Sequence, residues 1–150
     1  MKILVTLLIL LFPISVSAYE NEISLLDSNG EAVVYIDVDD ELAIYTWGGH
    51  ANAYLDGSVN DLLRGNTIDV YGWNGKHLGW YFDGVIMNHA GDASCSIREV
   101  HPNPKPETFK SVQYVQYVKY VQYIGPVQPF FSGRFGGIDC LALINSGSVN

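Results

Sequence analysis

The sequence predicts an all-β fold: four antiparallel β-hairpin repeats in a pseudo-four-fold meander, with an extended C-terminal tail. The first observation is a repeated phrase, LLDSNGEAVVYI, IYTWGGHANAYL, VYGWNGKHLGWY and IMNHAGDASCSI, ending at Ile36, Leu55, Tyr81 and Ile97. A frame that recurs at irregular spacing is one supersecondary unit copied several times with loops of different length between copies. The second is a turn dipeptide ending in Gly at the middle of each copy, flanked by β-branched and aromatic residues. The third is an abrupt change after His101 to prolines and Tyr/Gln-rich triplets.

Ahead of the repeats, Lys2 precedes an apolar run from Ile3 to Phe12, then Pro13 and small residues up to Ala18. This pattern predicts a signal peptide over residues 1–18, with an apolar stretch too short to serve as a membrane span. The remaining residues, roughly 130, suit one domain with a real core. They divide into a four-hairpin β domain at 19–100 and the tail at 101–150, its last part a short apolar segment. A secreted or periplasmic location is expected. The 16 acidic residues against 8 basic ones exclude binding to nucleic acid or to anionic lipid, which needs the opposite sign. In an exported chain Cys95 and Cys140 are either a disulfide or two buried thiols.

The four turns are Asn29-Gly30, Gly48-Gly49, Asn74-Gly75 and Ala90-Gly91. Asn-Gly and Gly-Gly favour two-residue type I′ turns, in which both central residues take positive φ; Ala90 fits this poorly. The turns set the cross-strand pairs Leu25–Val34, Ile44–Ala53, Val70–Gly79 and Ile86–Cys95 on a core face. By strand alternation that face also carries Ala32, Ala51, His77 and Ala93. The opposite face carries Leu26, Ser28, Tyr35, Tyr45, Trp47, Tyr54, Tyr71, Trp73, Trp80, Met87 and His89. So aromatic a face is either covered or a binding surface. The connections at Asp39-Asp40-Glu41 and Asp83-Gly84 are tight and keep the parity; that from Asp56 to Asp69 is longer.

The segments DSNGEAVVYID, AIYTWGGHANAYLDG and DVYGWNGKHLGWYFDGVI resemble the four-fold β-flower proteins, over roughly Leu25 to Arg98, with NGKHLGW the most specific part. The resemblance implies the four-hairpin fold and brings no catalytic residues with it.

In the tail, HPNPKP interrupts regular structure. After Thr108 the residues fall into triplets that place Val112, Val115, Val118, Val121, Ile124 and Val127 in one row and Tyr114, Tyr117, Tyr120 and Tyr123 in another. A period of three points to a polyproline-II-like belt across the aromatic face, with the tyrosine row buried beneath it; an edge strand is the competing reading.

His50, His77, His89 and His101 lack metal-ligand spacing, and the acids Asp37, Asp39, Asp40 and Glu41 lack the pattern of a calcium loop, so no metal and no cofactor are expected. No nucleophile sits in a recognisable motif, and no catalytic residue is assigned. The functional expectation is a non-catalytic binding or structural module of the envelope or exterior. Its ligand-binding residues would be Trp47, Trp73, His89, Tyr45, Tyr71 and Asn52, flat rings beside polar groups that suit a glycan or a protein partner. The alternative is an envelope hydrolase using Asp56, Asp61 and Asp69 of the second connection.

Overall fold

The computed structural model describes residues 21–149; the signal-peptide reading lies outside them. Eight antiparallel strands close into a meander barrel in sequence order. They are β1 (Glu22–Leu26), β2 (Ala32–Asp37), β3 (Ala43–Thr46), β4 (Ala51–Asp56), β5 (Ile68–Gly72), β6 (His77–Phe82), β7 (Val85–Met87) and β8 (Ala93–Ile97). Closure is made by β1 against β8, through Leu25 opposite Ile97 and Leu26 opposite Ser96. A barrel leaves no sheet edge unpaired. Among the described residues no helix is long and apolar enough to cross a membrane.

All four core pairs expected from the sequence form. One step nearer the turn, each hairpin slips by one residue: Leu26 faces Ala32, Tyr45 faces Ala51, Tyr71 faces His77, and Met87 faces Ala93. The bulge inserts Val33, Asn52, Leu78 or Ser94 as the extra residue and re-aims the neighbouring side chains. Ala32, Ala51, His77 and Ala93 therefore leave the core face and join the outer one, contrary to the simple alternation. The bulge also changes the turn. Gly30, Gly49, Gly75 and Gly91 take positive φ while Asn29, Gly48, Asn74 and Ala90 do not. The amides of these glycines bond back to the carbonyls of Asp27, Thr46, Gly72 and Asn88. This is a type I turn followed by a left-handed glycine rather than type I′, and it removes any difficulty with Ala90.

The barrel interior is filled by Leu25, Val34, Ile36, Ile44, Ala53, Leu55, Val70, Ile86 and Cys95, all fully buried, as a barrel of this strand number requires. Helix α2 (Cys140–Asn145) sends Cys140, Leu143 and Ile144 into the same cluster. It is joined to β8 by the disulfide Cys95–Cys140, which settles the alternatives for the two cysteines. The long second connection holds helix α1 (Val59–Arg64), with a reciprocal capping box between Ser58 and Asp61 and a left-handed Gly65 at its end. The sequence Ser58-Val59-Asn60-Asp61 is the short-range signal for such a start.

Gly75 shows what the turn positions demand. Its φ is +86° and a Cβ there would overlap the carbonyl oxygen of Val121. Gly75→Val is expected to lose more than about 2 kcal/mol in urea denaturation, combining left-handed strain with displaced backbone. Glu99→Gln, at an exposed site, should stay within about 0.5 kcal/mol. Removing the disulfide through a paired Cys95→Ala and Cys140→Ala change should cost about 2–5 kcal/mol by the same measurement.

Candidate functional site

The outer face holds two matching aromatic sectors. Tyr35 stacks on Tyr45 with centroids 5.6 Å apart, and Trp47 stands edge-on to Tyr35 at 6.1 Å. In the next sector Tyr54 stacks on Tyr71 at 6.2 Å, and Trp73 stands edge-on to Tyr54 at 5.7 Å. Register places these rings together, because Tyr35 faces Tyr45 and Tyr54 faces Tyr71 across neighbouring strands. Burial raises the pKa of Tyr35, Tyr45 and Tyr54; at Tyr45 the hydrogen bond to Asp40 adds to it.

The tail is a belt over these sectors. Among the described residues it forms no strand between 107 and 133, which removes the edge-strand reading. The amides of Lys105, Tyr114, Tyr123 and Ser132 donate to the carbonyls of Gly30, Gly49, Gly75 and Gly91. Those donors are nine residues apart, so each hairpin turn receives one nine-residue unit of belt. Ser111 and Tyr120, also nine apart, donate to the carbonyls of Trp47 and Trp73. One unit earlier and one unit later stand Pro102 and Pro129, which have no amide to give. The circuit closes where Phe135 meets the ring of His101 at 5.3 Å and bridges to Ala93.

The inward row of the belt is not the expected one. Lys110 lies 4.2 Å from the Tyr35 ring centroid and 5.5 Å from that of Trp47; Lys119 lies 4.2 Å from Tyr54 and 4.9 Å from Trp73. Burial lowers the pKa of Lys110, which also pairs with Glu22. Gln113, Gln116 and Gln122 donate to the hydroxyls of Tyr35, Tyr45 and Tyr54, and the Trp73 indole donates to the Tyr117 carbonyl at 2.6 Å. The tyrosine row of the belt stays 56–61% exposed, from Tyr120 to Tyr123, while the valine row points fully outward. Buried phenols need hydrogen-bond partners, and glutamine amides supply them where a second row of phenol rings would leave the hydroxyls crowded.

The belt divides the expected ligand-binding residues. Tyr45 and Trp73 are 2% exposed beneath it and Tyr71 is half-buried beside them, so these three do not form an open binding surface. Trp47, Asn52 and His89 instead line clefts at the end of the barrel where the turns lie. One cleft, of ≈ 360 Å³ between the first and second hairpins, is lined by Val33, Thr46, Trp47, His50, Asn52 and Leu141 among others. The buried Trp47 indole nitrogen finds no partner among the described residues, unlike that of Trp73. Asn52 donates to Asn145 of α2 at 3.0 Å. A second cleft, between the third and fourth hairpins, is lined by Lys76, His77 and His89. Sequence reasoning missed His77 because the bulge that turns it outward is invisible to strict alternation.

The acids of the second connection are separated in role. Asp61 is held by Ser58 and Asn66, whose hydrogen bonds pull its pKa down to about 2, with the Ser58 amide the largest contributor. Asp69 binds His77 at 2.8 Å, and Asp56 faces Asp69 across β4 and β5. No group of three or more His, Cys, Asp or Glu among the described residues is arranged to hold a metal ion.

The sequence model of the 4-fold beta flower proteins matches residues 23–144, which take in all eight strands but the first residue of β1. This chain belongs to the 4-fold beta flower protein family. No curated protein and no solved structure matches it. The family match extends well past the last hairpin, so the belt and most of α2 belong to the family's unit.

Lys119→Ala should destabilise the protein by about 0.5–2 kcal/mol and shift tryptophan emission, because the cation over Tyr54 and Trp73 is lost. Lys119→Met keeps the stem and should recover only the packing part of that loss.

Proposed function

We propose that the protein is a non-catalytic binding module acting outside the cytoplasm, and that it takes a glycan in the cleft beside Trp47. The observation that carries this reading is the distribution of aromatic rings: the belt occupies the flank of the barrel, while Trp47 lines a cleft left open at its end. A flat indole with His50, Thr46, Asn52 and Asn145 around it offers an apolar platform ringed by hydrogen-bonding groups, the arrangement that suits a sugar ring. Export is supported by the disulfide, which persists in oxidising compartments, and by the signal-like pattern of residues 1–18.

The hydrolase alternative draws on Asp56, Asp61 and Asp69. Asp61 is engaged in the cap of α1 and Asp69 in a bond to His77, which leaves Asp56 as the one acid of the three without such a commitment. A glycan array run beside a hydrolysis screen tests both readings. The expected result is a glycan signal removed by Trp47→Ala and no turnover. Turnover lost on Asp56→Asn or Asp69→Asn would replace the binding reading with the enzymatic one.

A further inference from the structure

The cleft between the third and fourth hairpins has a volume of ≈ 350 Å³ and apolar walls from Leu78, Ala90, Ile138 and Leu143. At its rim two histidine rings meet end to end. Nδ1 of His77 and Nε2 of His89 are 2.9 Å apart, the ring planes differ by 11° and the centroids are 5.2 Å apart. A centroid lies roughly 1.1 Å from each ring nitrogen, so these values place both rings in one plane with an in-line N–H···N bond. On its other side His77 meets Asp69 Oδ1 through Nε2 at 2.8 Å. A carboxylate only accepts, so His77 carries its proton on Nε2, and His89 must donate from Nε2 to Nδ1 of His77. Nδ1 of His89 is the ring nitrogen outside this relay.

We propose that this cleft binds a small molecule with an apolar body and a carboxylate, and that binding is accompanied by uptake of one proton through the Asp69–His77–His89 relay. The proton balance is simple. A proton from solvent adds to Nδ1 of His89, the Nε2 proton of His89 passes to Nδ1 of His77, and the imidazolium so formed on His77 rests against the Asp69 carboxylate. His89 then presents an N–H to the ligand, and no bond other than N–H is made or broken. Lys76 supplies the second cationic group of the cleft. Asp56, opposite Asp69 across β4 and β5, adds a second carboxylate at the far end of the relay, and the remaining groups packed on it carry no formal charge: Tyr71, 5.1 Å from His77, and Trp80, 4.9 Å from it, Gly125 of the belt against the His77 ring, and Ile138, Leu143 and Ser146 from the C-terminal segment. In a chain of net charge -8, a cleft with one lysine and two histidines above apolar walls selects for an amphipathic anion.

Without ligand, burial and the neighbouring His77 hold the pKa of His89 below its ordinary value, with the His77 backbone partly opposing. A bound anion favours the protonated relay, so affinity rises as pH falls, by at most about tenfold per unit while one proton is taken up.

The test is isothermal titration of the full chain with sodium hexanoate and with neutral 1-hexanol, at pH 7.5 and 5.5, in two buffers of different ionisation enthalpy. Hexanoate is expected to bind more tightly at pH 5.5 by about fivefold or more, with buffer-dependent heat reporting proton uptake, and more tightly than hexanol. His89→Gln should abolish the uptake and the pH dependence, and Lys76→Gln should weaken binding at both pH values while leaving the uptake in place; circular dichroism checks that both variants fold. Equal binding of hexanoate and hexanol, no hexanoate binding at millimolar concentration at either pH, or undiminished uptake in His89→Gln would each overturn the proposal. None of these outcomes bears on Trp47, so the glycan reading stands or falls separately.

Discussion

The contact on which the architecture rests is main chain against main chain: a belt carbonyl seated on the glycine of each hairpin turn. Asn103, Val112, Val121 and Phe130 place their carbonyl oxygens where a Cβ would project from Gly30, Gly49, Gly75 and Gly91. Each glycine thus meets two demands at once. It takes the positive φ that ends a type I turn, and it leaves room for another backbone to approach. The hydrogen bonds to the same glycine carbonyls then fix the belt at nine-residue intervals. A one-residue slip of the belt would unseat every later unit, so the spacing of the barrel's turns sets the register of a segment that has no secondary structure of its own.

Within that frame the pseudo-symmetric sectors differ in what fills them. Two contain Tyr, Tyr and Trp under a lysine, with the cation lying on the ring faces and the glutamines capping the hydroxyls. In the third the corresponding outer positions are Trp80, Met87 and His89, and the residue nine after Lys119 is Gln128. Here the lysine is absent and His77 occupies the space beside the rings. The fourth, between β8 and β1, has the small Ser96 and Ser28, and His101 bonds to the Asp27 carbonyl at 2.9 Å. The uniform backbone plan therefore carries two cation–aromatic sectors that hold the belt down and one imidazole sector that faces a cleft.

The end of the barrel gathers the features that suit binding. Helix α2 and the chain around it seal the interior, and Gly147 enters so close to Gly72 that neither position tolerates a side chain. That insertion, with Asn74 donating to the Ser146 and Ser148 carbonyls, fills the space between the second and third hairpins. The clefts on either side of it remain open, one beside Trp47 and one beside His89. The proposed binding role accordingly lies at the turn end of the barrel, while the aromatic flank is a surface turned toward its own chain.

The four hairpins, the pairs that line the core and the aromatic character of the outer face were legible in the sequence, because a repeated turn glycine and strand alternation are local signals that need no knowledge of distant contacts. The capping box of α1 and the nine-residue spacing of Lys110 and Lys119 were also written there, although the simpler period of three conceals the latter. Tertiary structure alone decided the rest. The bulges moved His77 and three alanines to the outer face, since an extra residue costs little in a strongly twisted small barrel and leaves no mark on hydrophobic alternation. Packing of α2 into the barrel core brought Cys140 to Cys95, and hydrogen-bonding demand from buried phenols turned glutamine and lysine inward while tyrosine and valine stayed outside. Which row of an extended belt faces the protein depends on the partners waiting beneath it, and those partners come from strands far away in sequence.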